Sequence, residues 1–190
     1  VTSPFSLIVT DPSPLLTLVL ADSLDVLLRP HLPITIPDAV YFEATRVRGA
    51  PGADGIVDWI NAHLDAVRLV PTEIGIDQQR RLEEGRSIRG LGELAAIEAL
   101  DRFIRTSPDA TALLLFDDCD IGRRAVIDDR VALISTGDFL RELERAGLIQ
   151  SADHILDLAS ERGRNVERQR TAVGDEAARA GLREQLRDHD

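Results

Sequence analysis

The segment Ala112–Phe116, ALLLF, constrains this chain more than any other. Five apolar residues without alternation describe a strand covered on both faces, the situation of a parallel sheet between helical layers. Similar short runs recur as SLIVTD (6–11), ITIP (34–37), VRLVP (67–71) and VALIS (131–135). Stretches of helical periodicity separate them, among them DGIVDWINAHLD (54–65) and GELAAIEALDRFIR (92–105). The alternation predicts an α/β chain: a three-layer α/β/α sandwich around a mostly parallel five-stranded sheet. Between the first two strands, Ser13 is the expected N-cap and Pro14 the first residue of an apolar helix reaching Leu28. Asp38 is expected to cap a helix over AVYFEATR, and 72–92 to begin helically and end as a loop.

After Gly163 the composition turns to Arg, Glu, Gln and Ala. There EAARAGLREQL (176–186) aligns Ala178, Leu182 and Leu186 on one helical stripe. We therefore divide the chain into a domain over 1–163 and a charged helical tail or docking arm over 164–190.

Charge narrows the function classes. The net charge is −11, and all 22 basic residues are Arg. That balance disfavours a general nucleic-acid binder, which must neutralise phosphates, but not an enzyme that handles phosphates through metal ions. The longest apolar-rich stretch, Leu15–Leu28, is interrupted by Asp22 and Asp25 and is too short to span a bilayer. No basic stretch precedes an apolar block, so no signal peptide is expected. The lone Cys119 suits a reducing cytoplasm.

Acidic residues stand where apolar ones belong. Asp11 closes the first strand, and Asp117, Asp118 and Asp120 follow the fourth. Glu93 shares a helical stripe with Ile97, Leu100 and Ile104, and Glu43 lies on a line with Ala39 and Val47. In open parallel sheets ligands bind beyond the carboxyl ends of the strands. Two like charges about 4 Å apart at an effective dielectric of about 20 repel by roughly 4 kcal/mol, so convergent carboxylates must protonate, recruit Arg or bind a cation. Oxygen donors without a His or Cys set point to Mg²⁺ or Mn²⁺. Each acid also has a plainer reading. Asp11 and the 117–120 cluster could serve as helix caps and first-turn acids, and the two glutamates as solvated surface charges.

In order, IVTDPSPLLTLVLADSLDVL, ITIPDAVYFEATR, GELAAIEAL, LLLFDDCDIGRRAV and TGDFLRELERAGLI resemble the PIN-domain family, most closely its VapC-type toxin relatives. The resemblance spans roughly 6–160. It implies a parallel sheet in an α/β/α sandwich and an acidic cluster that binds Mg²⁺ or Mn²⁺ to cut RNA. It also implies a partner antitoxin that covers the site, and pairing of two copies through helices. By position it implies Asp11, Glu93 and Asp118 as metal ligands, with Asp117 beside the last and Asp120 at a more variable place. Glu43 would complete the cluster or orient the attacking water. Which of Asp117 and Asp118 faces inward stays open.

Two residues depart from the family pattern. Pro12 stands where Ser or Thr often follows the first Asp, leaving Ser13 as the nearest hydroxyl, and Phe116 replaces a frequent Thr. Both favour the alternative of a weakened PIN-like binding or regulatory module. Ser13, Arg123 and Arg124 are candidates for RNA phosphate contacts, the arginines otherwise balancing Asp128 and Asp129. Arg80, Arg81, Arg86 and Arg89 could form a flap or a solvated loop. His31, His63, His154 and His189 make no ligand set in sequence, and Trp59 and Tyr41 read as core or interface. A response-regulator-like domain would expect a Lys after its last strand, and this chain has no Lys.

Overall fold

The computed structural model describes residues 4–47, 49–86, 90–117, 128–171 and 173–187. Strands β1 (Leu7–Thr10), β2 (Ile34–Pro37), β3 (Val67–Val70), β4 (Ala112–Phe116) and β5 (Val131–Ser135) form one sheet in the order β3-β2-β1-β4-β5, every pair parallel. β4 is buried along its whole length, as its unbroken apolar run requires.

Helices α1 (Pro12–Leu20), α2 (Asp38–Thr45), α3 (Ala53–Ala62), α4 (Glu73–Glu83) and α5 (Gly92–Thr106) connect the first four strands. Beyond β5 come α6 (Thr136–Arg145), α7 (Ala152–Glu161), α8 (Glu167–Thr171) and α9 (Glu176–Arg187). One apolar cluster joins the strands to the helices, with Ile8, Leu15, Leu18, Ile34, Leu113, Leu115 and Phe139 among its fully buried members. No helix among the described residues is long and apolar enough to cross a membrane.

Four local expectations change. Asp38 is the first residue of α2 and not its cap, which is Pro37; the Asp38 carboxylate accepts from Ala39 N within the first turn. The first helix is capped by Asp11, not Ser13: the Asp11 carboxylate accepts from Ser13 N at 2.9 Å, and Pro12, which has no N–H to satisfy, takes the first turn. The apolar stretch to Leu28 is not one helix. It breaks where Asp22 adopts φ +51°, and resumes as a 3-10 turn over Leu24–Leu28 that buries Leu24, Val26 and Leu27 in the core. Val47 lies beyond the end of α2 and is 56% exposed, so the line through Glu43 is apolar on one side only.

The segment after Gly163 packs on the same core. Ala178, Leu182 and Leu186 of α9 are buried, and Gln185 Nε2 donates to Pro30 O at 3.2 Å. Just before α9, Asp175 N donates to Leu133 O (2.8 Å) and Asp175 Oδ2 accepts from Leu133 N (3.1 Å). The outer edge of β5 is thereby covered.

Candidate acidic site at the sheet switch point

The chain winds outward from β1 to β3 and then returns to place β4 on the other side of β1. Connections therefore diverge between β1 and β4, and a crevice opens at their carboxyl ends. Asp11 follows β1 and Asp117 follows β4, so this topology brings together two acids 106 positions apart in the chain. Asp11 is 4% exposed and Asp117 1%.

Their hydrogen bonds differ. Among the described residues, Asp11 Oδ1 accepts from one backbone N–H, that of Ser13. Asp117 Oδ1 accepts from Thr136 N at 3.2 Å, and its Oδ2 from Gln169 Nε2 at 2.8 Å. Burial pushes the Asp11 carboxyl well above the usual carboxylate range, and the charges of Asp117 and Glu93 push it further. The Ser13 N–H and the Arg164 guanidinium pull the other way. Burial also raises Asp117, against the bonds from Thr136 and Gln169.

Glu93, in the first turn of α5, brings a buried Oε1 and acts electrostatically on Asp11. Glu43 stands beside it. Its Oε1 accepts from Leu91 N (2.7 Å) and Gly92 N (3.1 Å), the otherwise unpaired donors that open α5. Gly92 is required there, because a Cβ would lie 2.7 Å from Pro12 Cγ and 3.1 Å from Glu43 Oε2. That one glycine holds the starts of α1 and α5 and the Glu43 carboxylate in contact.

Two residues that sequence reasoning missed complete the lining. Arg164 Nη2 donates to Ser13 Oγ (2.5 Å) and Ser13 O (3.2 Å), and its Nε donates to Thr17 Oγ1 (3.1 Å). Burial lowers its pKa, opposed by the charges of Asp117 and Asp11. Gln169, 1% exposed on α8, donates to Thr17 Oγ1 at 3.2 Å as well as to Asp117. No spacing signal marks either residue, since their partners lie up to 152 positions away.

Asp11, Glu43, Glu93 and Asp117 thus gather at one end of the sheet. Asp118, Asp120, Arg123, Arg124, Cys119, Arg89 and His189 lie outside the described residues. Asp128 is engaged by Arg130 at 2.7 Å. Arg80 and Arg81 belong to α4 and pair with Asp77, and Arg86 pairs with Glu84. His31 and His63 do line one cavity of about 540 Å³ with Asp25 and Asp65, at the amino ends of β2 and β3.

The donor chemistry fits a hard divalent cation: oxygen ligands only, two of them buried carboxyls raised by burial and, at Asp11, by neighbouring acids. Among the described residues, though, no three His, Cys, Asp or Glu side chains stand close enough to hold a metal ion as they are. A family model described as a PIN domain matches residues 7–173. No curated protein and no solved structure matches the chain.

Proposed function

Because the chain belongs to the PIN-domain family, a nuclease fold, we propose that it is a metal-dependent endoribonuclease whose site is the acidic crevice between β1 and β4. The observation that carries this reading is the burial of Asp11 beside Asp117 and Glu93 at the sheet's switch point. Two carboxyls are kept out of water there, where their charges oppose each other, an arrangement with a cost to folding and a use only if positive charge arrives.

In this reading Asp11, Glu93 and the aspartates after β4 (Asp117, Asp118 and Asp120) hold Mg²⁺ or Mn²⁺. Bound there, the ion would supply an activated water and neutralise charge developing on the phosphate. Glu43 holds the start of α5, and with it Glu93, in place. Ser13, Arg123 and Arg124 are assigned to substrate phosphates, and Arg164 keeps Ser13 and Thr17 fixed beside Asp11. We further assign the chain to the toxin side of a toxin–antitoxin pair in the cytoplasm, with a cognate antitoxin as partner and pairing of two copies through helices.

A second reading, a binding or regulatory module with weakened catalysis, is favoured by Asp117, both of whose oxygens already accept hydrogen bonds. Titration calorimetry with Mn²⁺ separates the two. Binding at or below millimolar metal supports the nuclease, and absence of binding supports the module. On labelled single-stranded RNA, EDTA is expected to stop cleavage and added Mg²⁺ or Mn²⁺ to restore it. Glu93→Gln should lower the rate by about tenfold or more. Cleavage that persists in EDTA overturns the metal assignment.

A further inference from the structure

The start of α1 is poor in backbone donors. A helix start ordinarily offers an anion its first N–H groups. Here Pro12 and Pro14 carry none, and the N–H of Ser13 is spent on Asp11 Oδ1 at 2.9 Å. The crevice also repels what it would have to receive, since Asp11, Glu93 and Asp117 stand together in a chain of net charge −11. Side chains must therefore supply most of the donors for an incoming phosphate, and one of them has to be positive.

Arg164 meets that requirement. Nη2 donates to Ser13 Oγ (2.5 Å) and Ser13 O (3.2 Å), and Nε donates to Thr17 Oγ1 (3.1 Å). All three acceptors are neutral. Arg162 and Arg170, close to it in the chain, are instead paired with Asp22 and with Asp153 and Asp157. Among the described residues Arg164 makes no ion pair, although the charges of Asp117 and Asp11 act on it, and its Nη1 has no acceptor and reaches solvent. The like charge of Arg168 also acts on this guanidinium. A half-buried cation bound to neutral oxygens beside a like charge is relieved by an anion.

Ser13 keeps a donor of its own. Its Oγ accepts from Arg164, and its hydroxyl hydrogen has no acceptor among the described residues, whereas the Thr17 hydroxyl donates to Ser13 O at 3.0 Å. Nη1 and Nη2 share one carbon, so Nη1 lies within about 5 Å of Ser13 Oγ, and one phosphate group can accept from both.

We propose that Arg164 Nη1 and the Ser13 hydroxyl form the seat for an RNA phosphodiester next to Asp11, each donating to one of its non-bridging oxygens. Arg164 is then the cation that admits the RNA backbone to an acidic site. The inference rests on the ribonuclease reading and deepens it, because the segment after α7 supplies a substrate contact to the crevice.

The test measures binding of labelled single-stranded RNA by fluorescence anisotropy, in EDTA, over a series of salt concentrations. Each phosphate contact contributes about 0.7 to the slope of log affinity against log salt for single strands. Arg164→Gln should lower the slope by about that amount and weaken binding about fivefold or more at low salt. Arg162→Gln and Arg170→Gln remove the same charge nearby and should leave the slope as it is, and a merely structural role for Arg164 would not move it either. In the wild-type chain, dimethyl phosphate should shift the Arg164 Nε–Hε resonance more than those of Arg162 and Arg170, and sodium chloride at equal ionic strength should not. An unaltered slope in a folded Arg164→Gln, an equal loss in the Arg162 and Arg170 variants, or no selective shift with dimethyl phosphate overturns the proposal. The wild-type shift decides the matter if Arg164→Gln does not fold. Binding in EDTA needs no cleavage, so the expected slope change in a chain that never cleaves RNA would refute the nuclease and keep the seat. Cleavage with an unaltered slope would do the reverse.

Discussion

Asp11→Asn is expected to abolish most RNA cleavage, by about 10²-fold or more, while making the metal-free protein more stable. The two effects share one cause. In the folded chain the Asp11 carboxyl is raised well above its ordinary range, first by burial and then by the charges of Asp117 and Glu93. A carboxyl raised on folding holds its proton more tightly in the native state than in the unfolded one. Below the ordinary Asp value of about 3.9 both states are protonated, and the group costs nothing. As pH climbs from there through the raised folded value, the native state loses stability, and above that value the whole cost is present. An asparagine side chain carries no such charge. The variant should therefore match wild type at low pH and exceed it in melting temperature at neutral pH, with EDTA present in both samples. Added Mn²⁺ should then stabilise wild type more than the variant. An Asp11→Asn variant no more stable than wild type at about pH 7 would mean that the carboxylate is not opposed in the way its burial and neighbours dictate.

Leu182→Ala should cost about 2–5 kcal/mol, a large share of the roughly 5–15 kcal/mol that holds a domain of this kind together. Leu182 sits in a segment whose composition reads as a surface appendage, yet its side chain is fully buried in the same cluster as the strands. Urea denaturation should show the midpoint falling with little change in slope. The exposed neighbour Glu184 provides the control, since Glu184→Ala should stay within about 0.5 kcal/mol of wild type. Equal midpoints for Leu182→Ala and wild type would show that α9 contributes nothing to the core.

The sheet was legible because burial on both faces leaves a local mark. ALLLF states its environment within five residues, being buried throughout, while ITIP and the edge strand VALIS are half-buried at Thr35 and at Ala132 and Leu133. Asp11, Glu93 and Asp117 were legible for a related reason, as each interrupts a pattern that should have stayed apolar or ended. The helix start at Asp11 was harder, because Asp11 and Ser13 are both good caps two residues apart, and Pro12 decided between them by lacking a donor. The break at Asp22 left no Gly or Pro to mark it. Arg164 and Gln169 could not be read at all. Both act through side-chain contacts across most of the chain's length, and such contacts impose no periodicity on their own neighbourhood.

The parallel pairing of β1 with β4 also governs when the acidic crevice can exist during synthesis. Asp11 leaves the ribosome more than a hundred residues before Asp117, and Gln169, which binds the second of them, leaves later still. Pairings so distant in sequence form late, because the intervening loop must close first. A nascent chain therefore carries these carboxylates apart until the residues through Gln169 have been made. If the crevice is the ribonuclease site proposed above, the emerging polypeptide would have no assembled centre with which to cut the RNA being read.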